Sequence, residues 1–204
     1  MKSLVWLRND LRMDDNPALK EACVSSDEVH CIYFFSNEQM KIHNQANCKI
    51  EFTINNLRSL NDSLKKINIP LTIIHSDGFY DNADKILDII RERRVAKVYW
   101  NNMFGIDENK RDQQVQKILN DNSIDYETFD DQVVYSPGTI TTNEDKPYSV
   151  FTPFKRKWIE NFTLDMLDIE FKYTEKQSTK IKSNINEFDF DFHKTHSVDM
   201  SLWP

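Results

Sequence analysis

Three short stretches of the chain carry residue types that could do chemistry. The run Asn101-Asn102-Met103-Phe104-Gly105-Ile106-Asp107-Glu108 follows an apolar segment and places adjacent carboxylates beside one of only three glycines. A carboxylate there can accept paired hydrogen bonds from a planar donor edge, as it does from a guanidinium. Asp107 as a helix N-cap and Glu108 as a first-turn acid explain the same residues without any ligand. His43-Asn44 lies in the polar segment Glu38 to Asn47, where a histidine either faces solvent or contacts a ligand. Arg8-Asn9-Asp10-Leu11-Arg12 brings together charges of both signs, which can pair with one another to stiffen a loop or hold a charged ligand.

The elements that must position these residues follow from hydrophobic period. Leu4-Val5-Trp6-Leu7 reads as a strand buried on both faces, and Asp14, Asp15 and Asn16 before Pro17 supply a helix cap and first turn. Further strands are expected at Val29 to Phe35, Leu71 to His75, Lys97 to Trp100 and Asp125 to Phe129. Helices are expected around Asn16 to Val24, from Lys49 to Ile67, from Tyr80 to Arg93 and from about Glu108 to Asn122. This alternation predicts an α/β fold, a doubly wound five-stranded parallel sheet with helices on both faces, and ligands outside the carboxyl ends of its strands. A further helix through Trp158 to about Phe162 carries Phe154, Trp158 and Phe162 on one face, which reads as core. Beyond Ile169 no period persists, so residues 166–204 read as an irregular linker after an α/β domain at 1–165. The apolar end Leu202-Trp203-Pro204 is expected to need a further part of the protein to bury it.

Composition excludes several classes. A chain of 204 residues with 39% apolar and 29% charged residues suits one globular domain. A net charge of −7 argues against a domain that grips DNA by itself, because phosphate contacts need a surplus of Lys and Arg. Cys23, Cys31 and Cys48 have no metal-ligand spacing and fit a reduced, cytoplasmic setting. No run is long enough to span a membrane, and no hydrolytic triad, metal spacing or P-loop is present. The first strand-to-helix turn also lacks the glycines of a dinucleotide-binding turn.

Two motifs carry a resemblance. Trp6-Leu7-Arg8-Asn9-Asp10-Leu11-Arg12, followed by Asp15-Asn16 and Ala18-Leu19, resembles the opening of the DNA photolyase and cryptochrome family. Tyr148-Ser149-Val150-Phe151-Thr152-Pro153-Phe154-Lys155-Arg156-Lys157-Trp158 is similar to that family's signature at the end of its first domain. The resemblance implies a Rossmann-like antenna domain of a deoxyribodipyrimidine photolyase of the cyclobutane pyrimidine dimer type. Such an enzyme splits the dimer with light and reduced FAD, and that FAD sits in a C-terminal helical domain reached through a linker. It implies an antenna pterin of the methenyltetrahydrofolate type on Glu108, with Asp107 standing where some members have asparagine and His43-Asn44 beside it. No catalytic residue is expected in this part. The expected partners are the C-terminal FAD domain of the same protein and, through that domain, damaged DNA; the protein is expected to be a monomer that retains pterin weakly without the helical domain. A cryptochrome, a deazaflavin or second flavin as antenna, and a free-standing nucleotide- or flavin-binding α/β module stay open as alternatives.

Overall fold

Leu4 and Trp6 face one side of the first strand and Val5 and Leu7 the other, and all four are buried. That double burial is the seed of the architecture in the computed structural model, which describes residues 1–78, 81–167 and 171–190. The start expected for a helix at Tyr80 and the Leu202-Trp203-Pro204 end lie outside the described residues. Strands β1 (Lys2–Leu7), β2 (Glu28–Phe35), β3 (Leu71–His75), β4 (Lys97–Asn101) and β5 (Asp125–Phe129) form one parallel sheet in the order β3-β2-β1-β4-β5. Val5 of β1 lies between Cys31 of β2 and Tyr99 of β4.

Helices α1 (Pro17–Ser25) and α3 (Asn47–Lys65) pack on the Val5 and Leu7 face through Leu19, Ala22, Leu57 and Leu64. Helices α4 (Asn82–Arg93) and α5 (Ile106–Asp121) pack on the Leu4 and Trp6 face through Ile86, Ile90, Val115 and Leu119. A short helix α2 (Asn37–Ile42) follows β2 and buries none of its residues. The chain runs from β1 outward to β3 and returns to the far side of β1 with β4. The loops after β1 and β4 therefore diverge, and a crevice opens between them at the carboxyl ends of the strands.

Three expectations are corrected by packing. The α5 helix is capped by Gly105 rather than Asp107; Asp107 sits inside the first turn, where an acid still favours the helix dipole, and makes no cap. The Phe154 and Trp158 face is not core: α6 (Phe151–Asn161) buries no residue, because α1, α3, α4 and α5 already cover both sheet faces. Trp158 instead stacks on Phe162 with ring centroids 5.4 Å apart, and meets Tyr135 edge-on. The side-chain charges of Arg8, Asp10 and Arg12 form no ion pair with one another; the Arg8 guanidinium lies 3.7 Å from Asp112, and Arg12 pairs with Asp15 and Asp131.

Past the 3-10 turn Leu164–Leu167, residues 171–177 pass along Met13 and the end of α1, and residues 183–190 cover the open edge of β3. Asn184 accepts from the Ile73 amide at 2.8 Å and donates to the Ile73 carbonyl at 2.9 Å, while Ser183 accepts from the Leu71 amide. Ile185 and Phe190 join the core, and Phe188 stacks on His75 at 4.3 Å. Side chains thus satisfy an edge that would otherwise present unpaired amides. The Lys176 ammonium adds hydrogen bonds to the carbonyls of Cys23 and Ser26.

Candidate chromophore cleft

The crevice between β1 and β4 is fixed by a buried polar network. Asp10 accepts the Arg8 amide at 2.7 Å on one oxygen and the Asn101 amide group at 2.6 Å on the other. Asn101 also accepts from the Ala18 backbone and donates to Asn16. Asn16 in turn caps α1 by accepting from Leu19, as the Asn-Pro pattern predicts. Asp10, Asn16 and Asn101 are each buried, so the loop after β1, the start of α1 and the end of β4 are locked together.

Beside this lock lies a cleft with two adjoining lobes. The inner lobe, about 140 Å³, is lined by Trp6, Arg8, Tyr33, Gln39, Glu108 and Arg111 among others. The outer lobe, about 300 Å³, is lined by Arg12, Phe52 and Asn56. Arg8, Asn9, Lys49 and Thr53 line both lobes. The loops after β1, β2 and β4 all contribute, as a doubly wound sheet requires.

Charge in the cleft is unevenly placed. The guanidinium carbons of Arg8 and Arg111 lie 4.5 and 4.8 Å from the Trp6 ring centroid, so one buried indole carries both cations. Asp112 binds Arg111 at 2.8 and 3.0 Å and sits 3.7 Å from Arg8. Burial pushes the Arg8 guanidinium down to about 10, against the pull of Asp112, and it stays charged at neutral pH. Asp131 is pushed up by burial and by the Asp10 charge, although Arg12 lies 3.1 Å away.

The structure separates the residues singled out from sequence. Glu108 lines the inner lobe from the first turn of α5. Its carboxylate folds back over Gly105 so closely that a Cβ at that position would stand 2.0 Å from it, which gives the glycine a reason. Asp107, its neighbour, is exposed and pairs with Lys110 at 3.7 Å. His43 ends α2, exposed, and its neighbours Gln39, Met40 and Gln45 rather than His43 itself line the cleft. Sequence reasoning missed Arg111 and Asp112. A usable signal existed for Arg111, which stands four residues before the inward-facing Val115 and so on the same helix face.

A family model described as DNA photolyase matches residues 3–177. The chain belongs to the DNA photolyase family. The deoxyribodipyrimidine photo-lyase of Vibrio cholerae is 34% identical over 159 residues, covering 78% of this chain and 34% of the relative. The chain thus spans about a third of the length of the curated photolyase it matches. The fold is shared with a bacterial class III photolyase from Agrobacterium tumefaciens, with a TM-score of 0.69 at 22% identity over 93% of this chain and 38% of that one. An archaeal photolyase from Sulfolobus tokodaii, described with two FAD molecules, gives a TM-score of 0.65 at 23% identity over 92% of this chain and 40% of that one. Photolyases bind FAD and an antenna chromophore. In this photolyase domain, no group of three or more His, Cys, Asp or Glu among the described residues is placed to hold a metal ion, and no described helix is long and apolar enough to cross a membrane.

Proposed function

We propose that this chain is the antenna-chromophore-binding domain of a deoxyribodipyrimidine photolyase, and that Glu108 holds a methenyltetrahydrofolate-type pterin in the inner lobe. The observation that carries the reading is the position of Glu108: a carboxylate in the wall of a cleft at the switch point of a photolyase sheet. There it can accept paired hydrogen bonds from an amino-pyrimidinone edge. Bound pterin supplies near-ultraviolet absorption, while the residues of this chain bind it, orient it and shield it from water. Repair of cyclobutane pyrimidine dimers by light and reduced FAD belongs, in this reading, to a C-terminal helical domain joined through residues 166–204. Damaged DNA is gripped there, in keeping with the acidic balance of this domain.

A flavin antenna is the second reading, favoured by the two FAD molecules of the Sulfolobus tokodaii photolyase. Absorption titration of the purified chain with reduced methenyl folate separates the two. A near-ultraviolet band that grows with folate and weakens in Glu108→Ala supports the pterin. Saturable binding of flavin with no folate band replaces it with the flavin.

A further inference from the structure

Arg8 is only 6% exposed, yet its Nε, Nη1 and Nη2 atoms have no hydrogen-bond partner among the described residues. Guanidinium donors left unmade in an interior are costly, and they match planar or tetrahedral oxyanions in geometry. The nearest carboxylate does not meet this demand. Asp112 gives one oxygen to Arg111 through two short hydrogen bonds, and its other oxygen stays 3.7 Å from Arg8, beyond hydrogen-bond reach.

Arg8 forms wall common to both lobes, with the Lys49 ammonium stem and the neutral polar Asn9 and Thr53 beside it. Glu108 lines the inner lobe alone, whereas among the described residues no carboxylate lines the outer one. A ligand with a donor edge at one end and an anion at the other therefore matches the cleft with its donor edge toward Glu108 and its anion toward Arg8.

We propose that Arg8 receives the oxyanion of the cleft's ligand, a carboxylate or a phosphate, with Lys49 assisting at the mouth. The proposal rests on the chromophore reading only for the heterocycle end of the ligand; the oxyanion subsite stands on the Arg8 geometry. A carboxylate would come from the glutamate tail of a folate, a phosphate from a nucleotide or flavin mononucleotide.

The test titrates the intact chain with matched probes. Riboflavin and FMN differ by a phosphate; a methenyl pteroate and methenyltetrahydrofolate differ by the glutamate. The expected result is that in one pair the anionic member binds more tightly, by about 10-fold or more, the scale of a charge-assisted hydrogen bond. Inorganic phosphate at matched ionic strength should compete with that member, and Arg8→Gln should weaken the anionic member by more than its tail-less partner, so that the preference is lost. The pair that shows the preference identifies the source of the anion. Equal affinities within both pairs, no binding by any probe, or an equal loss for both members in Arg8→Gln overturns the proposal. Should Arg8→Gln fail to fold, the wild-type ratios and phosphate competition decide alone. Folate binding that needs Glu108 but not the tail overturns the oxyanion subsite and spares the pterin; phosphate-dependent flavin binding without folate binding does the reverse.

Discussion

The Asn101 side chain donates a 2.6 Å hydrogen bond to the Asp10 carboxylate across 91 residues of sequence. It joins the ends of the two strands between which the cleft opens. Asn101→Ala would leave a buried carboxylate short of one donor and the Ala18 amide short of its acceptor. The expected loss is about 2–4 kcal/mol of unfolding free energy, measured by urea denaturation. A loss below about 0.5 kcal/mol would show that the network merely decorates the sheet end.

Gly105 and Glu108 give a substitution that separates binding from folding. A methyl group at position 105 displaces the flexible end of the Glu108 side chain and no backbone. Gly105→Ala is therefore expected to leave the thermal midpoint within a few degrees while weakening pterin binding as much as Glu108→Ala does, by about 10-fold or more. His43→Ala and Asp107→Ala, whose side chains do not line the cleft, should change affinity less than about twofold. Fluorescence titration of the four variants reads all of these outcomes, and a His43→Ala effect as large as that of Glu108→Ala would relocate the site toward α2.

His30 sets an acid limit on stability. It is fully buried, contacts Glu28 at 3.0 Å, and burial holds its pKa below the ordinary 6.5 in spite of that acid; Arg93 and Lys2 push the same way as burial. Because the folded pKa is depressed, the unfolded chain takes up the proton first. The contribution is complete above pH 6.5 and falls away as pH drops toward the folded value, with a slope of at most about 1.4 kcal/mol per pH unit. Unfolding free energies of wild type and His30→Leu, compared between about pH 5 and pH 7, should show wild type losing stability relative to the variant as pH falls. Parallel curves would assign the acid sensitivity to carboxylates instead.

Asn184 covers the β3 edge by reproducing both hydrogen bonds of a strand partner at Ile73. Asn184→Ala is expected to cost about 1–2 kcal/mol and to raise self-association, since the bare edge can pair with a second copy. Light scattering as a function of concentration measures the second effect. An unchanged scattering profile would assign the protection to the packing of Ile185 and Phe190 alone.

Strand and helix order was written in the sequence because burial leaves a period. The β3 strand runs over Leu71–His75, as its apolar and β-branched run indicates, β5 runs over Asp125–Phe129 with Tyr126, Thr128 and Phe129 among its acids, and Asn16-Pro17 marks the start of α1 by local capping chemistry alone. Glu108 was legible as a candidate for the same local reason: it follows a strand and opens a helix. Which charges would share the cleft was decided by tertiary structure. Arg8 and Arg111 stand far apart in the chain and meet only because β1 and α5 deliver them to the same Trp6 ring, while Asp107, adjacent to Glu108, is turned to solvent by the pitch of the helix. The apolar stripe of α6 pointed to a core helix, and only the coverage of both sheet faces by other helices left it outside. Local pattern determines what an element is; the order in which a sheet spends its two faces determines what each side chain can touch.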